Sequence, residues 1–371
     1  MARNRPTGEL RSGWTTGACA AAAAKAAFCA LAGAGFPDPV RIRLPKGELP
    51  DFALSERALN DAAASAAVVK DAGDDPDVTH GATVRATVRR AAPGAGLVFT
   101  AGEGVGTVTK PGLPIAVGEP AINPRPREII ETNLREAADA VEWTGPLDLE
   151  IEIAIPGGEA LAQKTWNPRL GIVGGLSVLG TTGVVHPFSC SAWIHSIHRG
   201  IDVARANGFG HVAGSTGSTS EGVVQRLYDL PLEALIDMGD FAGGMLKYLR
   251  RHPVSRVTVA GGFAKLVKLA QGAGDLHSAR AQVDFDKLAR TAARIGADAE
   301  LAAAIAGANT AAEALALAQA ADLPLPRTIA AQARETGRAM LGDSGVRLDV
   351  LIVDRAGAPL AATDPDLRIP A

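Results

Sequence analysis

Alternating apolar and polar positions mark several strands in the first half of the chain. Residues 147–155 place Leu or Ile at every second position, with Asp or Glu at most of the positions between. That pattern is typical of a strand with one face in the core and one face in water. Residues 40–44 and 83–89 alternate similarly, and residues 96–100 and 104–109 predict short strands divided by Gly-Glu-Gly.

Two helices are predicted among these strands. The first begins after Thr-Thr-Gly at 15–17 and ends at the glycines of 33–35, and the second covers 124–140. The small, apolar run over 17–36 follows several arginines, as in a signal peptide or a membrane span. Its alanines contribute helix propensity but little hydrophobicity, and Lys25 lies in its middle, so a helix of a soluble domain is expected. The preceding arginines are Arg3, Arg5 and Arg11.

The second half of the chain has a different pattern of predicted elements. Glycine-rich turns lie beside apolar strands at 172–183 and 257–262, which is typical of an α/β layer. Residues 286–342 are predicted to be mostly helical, and residues 347–353 to form a closing strand. The predicted fold is a two-domain mixture of α+β and α/β, with a strand-rich N-terminal α+β domain over 1–165 and an α/β domain with a helical C-terminal part over 166–371.

Composition and charge narrow the function classes. The 371 residues are 47% apolar and 21% charged, which is ordinary for a folded globular chain. The net charge of −3 includes no long single-sign block, so neither nucleic acid nor a membrane surface is expected as a partner. Cys19, Cys29 and Cys190 are odd in number and lack C-x-x-C spacing. They argue against a disulfide scaffold and a zinc ribbon and fit a reducing cytoplasm.

The segment 70–81 concentrates charge on a predicted loop. It carries four aspartates, Lys70 and His80 beside Gly73 and Pro76. Divalent-metal binding is one interpretation, although the spacing lacks the ligand positions of an EF-hand. A substrate-facing acidic loop and an Asp-rich turn that satisfies its own backbone amides are the others.

A glycine-rich segment at 102–112 spells G-x-G-x-G. The third glycine is one position too early for a dinucleotide fingerprint, and no helix follows. Either a tight hairpin or a ligand-binding loop fits this pattern.

Two further turns follow apolar strands. Gly-Thr-Thr-Gly at 180–183 and Gly-Ser-Thr-Gly at 214–217 would each present backbone amides and hydroxyls at the carboxyl end of a strand, where open α/β sheets bind ligands. Glu221, after the second turn, could hold a ribose or an amino group. A purely structural turn is the alternative for both.

Lysines are concentrated near such turns. The chain has 28 arginines and only 9 lysines, and seven lysines lie in or beside glycine-rich or turn-rich segments. A compact ammonium is therefore expected to matter there. After Gly261-Gly262, Lys265 and Lys268 share one helix face and could bind an anion, or else form an ordinary solvated face. The segment lacks G-K-[ST], so it is not a P-loop.

Several of these segments together resemble the cobalt-precorrin-5B C(1)-methyltransferase family. The resemblance covers most of residues 12–280. Its motifs are Trp-Thr-Thr-Gly-Ala-Cys at 14–19, Pro-Lys-Gly at 45–47, the loop 70–81, the segment 102–127 and the segment 165–183.

The resemblance implies methyl transfer from S-adenosylmethionine to C-1 of a cobalt-containing corrinoid precursor, in the oxygen-independent route to cobalamin. It implies a cytoplasmic enzyme with S-adenosylmethionine as methyl donor, a corrinoid as its small-molecule partner and no protein-bound metal, because the cobalt belongs to the substrate. A homo-oligomer is compatible with it.

Site residues follow from the same resemblance. The substrate's carboxylates call for a cationic and hydroxyl-bearing rim, the two turns are assigned to the donor, and three side chains are candidates for a proton acceptor or polar orienter. The expected substrate-binding residues are Thr15, Thr16, Lys46, Lys110, Arg125, Arg127, Lys164, Arg169, Lys265 and Lys268. The expected donor-binding residues are Gly180, Thr181, Thr182, Gly183, Gly214, Ser215, Thr216, Gly217 and Glu221. The expected catalytic residues are Asp71, Asp75 and His277.

Two other function classes remain open from the sequence. A non-catalytic tetrapyrrole carrier would use the same cationic rim without a donor site. A small-molecule kinase with an unconventional glycine loop would need ATP and Mg²⁺. Binding of S-adenosylmethionine, of nothing, or of nucleotide with Mg²⁺ separates the three.

Overall fold

A computed structural model describes residues 10–367, and its chain forms two compact units that divide between Ser189 and Cys190. Arg3 and Arg5, which precede the apolar run, lie outside the described residues. The predicted division after residue 165 falls inside the first unit. Residues 166–189 belong there because β-pairing ties them to earlier strands, as Ile172 with Val108 and Val184 with Trp14.

The first unit contains a five-stranded, mostly antiparallel sheet with helices packed on it. Its helices are α1 Thr16–Leu31, α2 Pro124–Ala140 and α3 Gly158–Ala162. Its strands are β1 Gly13–Trp14, β2 Val40–Arg41, β3 Asp51–Phe52, β4 Glu56–Leu59, β5 Ala63–Val69, β6 Thr83–Arg90, β7 Leu97–Ala101, β8 Thr107–Val108, β9 Leu149–Ala154, β10 Ile172–Val173 and β11 Val184–Val185. The large sheet has the order β4-β5-β6-β9-β7, in which β7 runs parallel to β9.

The alanine-rich helix α1 lies in the middle of this unit. Thr15 caps it by accepting a hydrogen bond from the Ala18 amide at 3.2 Å. It packs against β5 and β6 on one side and α2 on another, and nearly all of its residues are buried. Alanine supplies helix propensity and lets the neighbouring backbones approach closely. The expectation of a helix within a folded domain is confirmed, and in residues 10–367 no helix is long and apolar enough to cross a membrane.

The glycine-rich segment 102–112 is not a hairpin. β7 and β8 belong to different sheets, since β8 pairs with β10. Gly104 has φ +71°, and a Cβ there would stand 2.0 Å from the Ile155 carbonyl oxygen. A Cβ at Gly106 would meet the Ile172 side chain at 2.6 Å. These glycines therefore allow close packing of backbone segments inside the unit.

The second unit is an α/β layer, as predicted. Its helices are α4 Cys190–Ala206, α5 Ser218–Tyr228, α6 Ala242–Arg251, α7 Phe263–Ala270, α8 Phe285–Arg294, α9 Ala299–Ala306, α10 Ala311–Ala320 and α11 Leu325–Leu341. Its strands are β12 His211–Ser215, β13 Leu235–Asp237, β14 Arg256–Gly262, β15 Arg347–Val353 and β16 Pro359–Ala362. The sheet order is β13-β12-β14-β15-β16, parallel except for β16.

Helices cover both faces of this sheet. On one face Ala213 of β12 packs with Val223 and Val224 of α5. On the other face the next residue, Gly214, lies so close to α6 that a Cβ would meet the Met245 sulfur at 2.3 Å. The alternation of side chains along β12 therefore separates α5 from α6.

Replacing Ala22 by Leu tests the close packing around α1. Ala22 is fully buried, so we expect the larger side chain to lower the free energy of unfolding by about 1–3 kcal/mol. The matched control is Ala34→Leu, at an exposed position just after the helix, where a change within about 0.5 kcal/mol is expected. Urea unfolding of both variants measures the difference, and equal stabilities would contradict the packing described here.

Candidate functional site

The parallel sheet of the second unit has a point at which the order of its strands reverses. From β12 the chain passes through α5 to β13 on one side of β12. It then crosses through α6 to β14 on the other side. The connections that leave β12 and β14 thus lie on opposite faces and open a crevice between these strands. Open α/β sheets bind their ligands at such a switch point.

The residues at this edge suit a bound small molecule. Ser215, the last residue of β12, is fully buried, and its hydroxyl has no hydrogen-bond partner among the described residues. A Cβ at Gly217 or Gly262 would meet nothing within 4 Å. Gly217 also precedes the 11-residue helix α5, whose first turn carries Glu221. Free backbone amides and a positive helix end therefore face an open space.

The opposite, amino edge of the sheet is closed by ion pairs. Arg256 donates to Asp349 at 2.9 Å and also pairs with Asp364, which Arg347 contacts at 2.7 Å. Both carboxylates are almost completely buried. His211 lies beside this network, and burial followed by the charge of Arg256 lowers its pKa to about 4. The charged side chains of this network pair with one another and hold the amino ends of β14 and β15 together.

Lys265 and Lys268 of α7 bind the chain itself. Lys265 forms an ion pair with Asp240 and donates to the Leu276 carbonyl at 3.2 Å. Lys268, with only 7% of its surface exposed, donates to the same carbonyl at 3.1 Å. Burial and then the neighbouring Lys265 lower the pKa of Lys268. The two lysines are thus not a solvated helix face, and they hold the loop after α7 against the loop after β13.

His277 lies in that loop after α7. Its ring Nδ1 accepts a hydrogen bond from the Ala279 amide at 3.2 Å, and its own amide donates to Asp275 at 3.0 Å. Asp275 also forms an ion pair with Arg280. These contacts shape a turn and leave the His277 side chain exposed.

The charged side chains of the acidic loop 70–81 pair with other residues of the first unit. Lys70, 4% exposed, donates to Asp77 at 2.6 Å and to Thr16 at 3.3 Å. Burial acts to raise the pKa of Asp77, but Lys70 and Thr79 outweigh it and the pKa falls below its ordinary value. The lysine thus ties the loop to the N-terminus of α1.

The other aspartates of this loop are also engaged. Arg11 binds Asp71 through its guanidinium and lowers the pKa of that carboxyl to about 2. Asp74 accepts from the Arg11 amide at 2.7 Å, and Asp75 accepts from the Phe188 amide at 2.9 Å. In the part of the chain that the structure describes, no group of three or more His, Cys, Asp or Glu side chains is arranged to hold a metal ion.

The turn 180–183 differs from its predicted setting. Only Ile172–Val173 form a strand before it, and the turn lies in the first unit rather than after a strand of the parallel sheet. Gly180 packs so tightly on Thr15 that a Cβ would approach its side chain to 2.4 Å, and the Gly183 carbonyl accepts from the Thr15 amide at 2.9 Å. The strand predicted before this turn is short, because Gly171 and Gly174 at its two ends adopt positive φ and interrupt the extended backbone.

The other cationic residues that were predicted to bind the substrate lie on the first unit. Arg125 pairs with Glu128 on α2, and Arg127 donates to the Ile122 carbonyl at 2.9 Å. Lys46 and Lys164 are exposed. Lys110 and Arg169 flank Gly171, where a Cβ would meet the Lys110 side chain at 2.7 Å. The structure therefore brings Lys110 against Gly171, and separately brings together Thr15 and the turn 180–183.

Sequence reasoning missed Asp237 and Asp240. Asp237 ends β13 directly beside Ser215 of β12, and Asp240 follows in the loop. An acidic residue about 20 positions after a glycine turn is a signal for a ribose-binding carboxylate. The strand that places Asp237 has only three residues, Leu235–Asp237, so its sequence shows no alternation that would predict it.

Comparison with known proteins identifies the relatives of this chain. A family model described as CbiD matches residues 3–187, and one described as CbiD, C-terminal domain matches residues 275–364. The cobalt-precorrin-5B C(1)-methyltransferase of Paramagnetospirillum magneticum is 64% identical over 348 residues, which are 94% of this chain and 96% of that protein. The protein of the same name from Brucella canis is 60% identical over 359 residues, 97% of each chain.

A solved structure is also similar. The crystal structure of a cobalamin biosynthesis protein (cbiD) from Archaeoglobus fulgidus is 26% identical and covers 74% of this chain and 84% of that one, with a TM-score of 0.39. The family assignment rests on the sequence matches, which span nearly the whole length of each relative. The chain belongs to the CbiD family, the family of cobalt-precorrin-5B C(1)-methyltransferases.

Proposed function

We propose that this chain transfers a methyl group from S-adenosylmethionine to C-1 of cobalt-precorrin-5B, giving cobalt-precorrin-6A. The observation that carries the proposal is the identity of 60–64% over nearly the full length to proteins of that name. The cobalt is part of the corrinoid substrate. We place the reaction in the cytoplasm, since Cys19, Cys29 and Cys190 are free thiols.

Methyl transfer from a sulfonium requires alignment of the reacting atoms more than it requires a general acid or base. The electron-rich C-1 of the corrinoid supplies the electron pair for the new carbon–carbon bond, the bond between the sulfonium sulfur and the methyl carbon breaks, and the sulfur keeps that bond's electron pair. The products are S-adenosylhomocysteine and the methylated corrinoid. Such a step is accelerated by holding C-1 in line with the sulfur–methyl bond and by excluding water, and it requires no Ser-His-Asp or Cys-His constellation.

We place the methyl donor at the carboxyl edge of the parallel sheet in the second unit. The buried Ser215 hydroxyl without a partner, the open space at Gly217 and the N-terminus of α5 support this placement. The helix end suits the donor's carboxylate. Glu221 in the first turn of α5 and Thr216 at the end of β12 are assigned to the donor's amino and hydroxyl groups. The turn 180–183 packs on α1 and is not included.

The corrinoid is assigned to the cationic rim of the first unit. Lys46, Lys110, Lys164 and Arg169 are the proposed partners of its carboxylates. The surface ion pair of Arg125 with Glu128 is weak enough to exchange for a ligand carboxylate. Lys265 and Lys268 act instead by holding the loop after α7.

Asp71 is proposed to position the loop rather than to accept a proton. A general base works best with a pKa near the operating pH, and Arg11 holds the pKa of Asp71 at about 2. Asp75 likewise fixes the chain at Phe188.

The reaction itself is tested by incubating the purified protein anaerobically with cobalt-precorrin-5B and methyl-deuterated S-adenosylmethionine. We expect the corrinoid to gain one labelled methyl group by mass spectrometry, and NMR to place it at C-1. A corrinoid that binds tightly but gains no label would contradict the methyltransferase proposal and favour a carrier. Dependence on ATP and Mg²⁺ would favour a kinase.

Filling the crevice at Gly217 tests the donor site. Gly217 has extended backbone, and a Cβ there has free space, so Gly217→Leu should fold normally while its side chain occupies the donor's position. We expect the Kd for S-adenosylhomocysteine, measured by calorimetry, to rise at least about ten-fold, or about 1.4 kcal/mol. Gly222→Ala, one turn along α5, is the control with unchanged Kd, and a normal Kd for Gly217→Leu would place the donor elsewhere.

A further inference from the structure

A second open cavity lies on the outer side of the helices of the second unit. It has a volume of about 800 Å³, and α6 forms its floor while α4 and α11 form its walls. We refer to it as the α6 groove. The lining residues that define it are Ile194, His198, Lys247, Tyr248, Arg251 and Met340.

The α6 groove carries an unbalanced positive charge. Lys247, Arg250 and Arg251 line it, and none of them forms an ion pair or a hydrogen bond through its side chain with any of residues 10–367. The lining includes no carboxylate. On the same helix layer Arg338 has a partner in Glu335. Three unpaired cations around one concave surface repel each other, and a bound anion would relieve that repulsion.

Three aromatic rings hold one side of the groove rigid. The Tyr248 ring is stacked between the rings of His198 and His252, with nearly parallel planes. The distance between ring centroids is 3.9 Å to His198 and 4.0 Å to His252. The Tyr248 hydroxyl donates to Asp202 at 2.7 Å. Burial and then this hydrogen bond raise the pKa of Tyr248 to about 12, so the hydroxyl keeps its proton and the stack keeps its orientation.

Apolar side chains complete the surface. Ile194 lies on the α4 wall, and Ala339 and Met340 lie on the α11 wall. Gly244 brings the floor within reach of α4, since a Cβ there would contact the Ile194 side chain at 3.4 Å. A cavity of this size, with apolar walls and a few converging polar groups, has the form of a small-molecule site.

We propose that the α6 groove binds a small molecule that carries two or more carboxylate or phosphate groups on an apolar body. Lys247 and Arg251, one turn apart on α6, bind the anionic groups, and the His198–Tyr248–His252 stack with Ile194 and Met340 contacts the body. Its residues are separate from those at the carboxyl edge of the sheet, and the proposal does not depend on the methyl-transfer reaction.

The test is equilibrium binding to the full-length protein by calorimetry at low and moderate salt. The probes are cobyrinic acid, a corrinoid with free carboxylates, and inorganic pyrophosphate, which has no apolar body. The test variant is Lys247→Ala/Arg251→Ala. The matched control, Arg290→Ala/Arg327→Ala, removes the same charge from exposed positions of α8 and α11 outside the groove.

We expect at least one probe to bind the parent protein, with a Kd that rises ten-fold or more in the Lys247→Ala/Arg251→Ala variant and stays within two-fold in the control. Lys247→Arg/Arg251→Lys should retain binding, which separates lost charge from lost folding. Pyrophosphate binding that the Lys247→Ala/Arg251→Ala variant loses identifies phosphate groups as the ligand chemistry, and cobyrinic acid binding that it loses identifies corrinoid carboxylates. Cobyrinic acid binding that this variant leaves unchanged belongs to the cationic rim of the first unit and, without pyrophosphate binding, would overturn the proposal. Absence of binding by both probes, or equal loss in the test and control variants, would overturn the proposal.

This outcome is independent of the proposed reaction. The calorimetric readout contains no methyl donor, so failure of methyl transfer leaves the groove result intact. Conversely, an occupied groove in a protein without methyltransferase activity would still support the groove proposal while contradicting the proposed function.

Discussion

The order in which strands are added to the sheet reverses at β12, which lies between β13 and β14, and this reversal determines the arrangement of the second unit. Because β13 and β14 pair with opposite sides of β12, the helices that follow β12 and β14 must leave the sheet on opposite faces. A crevice then opens at the carboxyl ends of β12 and β14. The glycines at 217 and 262 keep it open, and the ion pairs of Asp349 and Asp364 hold the opposite edge of the sheet together.

Close backbone packing has the same organising role in the first unit. The alanines of α1 let a helix lie buried between a sheet and α2. Gly104, Gly175 and Gly180 let loops touch where any side chain would collide. Lys70 then uses a compact ammonium to join the acidic loop to the start of α1, which agrees with the expectation that the few lysines of this chain lie where a guanidinium would not substitute.

Local sequence signals predicted the elements that are self-contained. The helix near Thr-Thr-Gly at 15–17, the bounds of α2 at residues 124–140 and the strand Arg347–Val353 are confirmed, although α1 begins earlier than predicted, at Thr16, and a further strand, β16, follows Val353. The errors came from glycines, since the hairpin alternative at 102–112 is wrong and the strand predicted before the turn 180–183 covers only Ile172–Val173. A glycine in a sequence does not show whether its missing side chain serves a turn, a ligand or a neighbouring backbone.

The candidate site was only partly predictable for a related reason. The turn 214–217 was found because an apolar strand precedes it, whereas Asp237 was missed because its strand is so short. Lys265 and Lys268 were correctly placed on one helix face, but their partner is the Leu276 carbonyl, which a side-chain pattern does not reveal. The unpaired cations of the α6 groove lie on one helix, but the α4 and α11 side chains that complete the groove are far away in sequence, and only the fold brings them together.

The proposed donor site of the second unit lies at the carboxyl edge of its parallel sheet. Hydrogen–deuterium exchange of the full chain, with and without S-adenosylhomocysteine, tests this placement. We expect slower exchange of backbone amides in residues 215–221, 238–240 and 261–264 when the ligand is bound. Protection confined to the turn 180–183 and the start of α1, with these three segments unchanged, would contradict it.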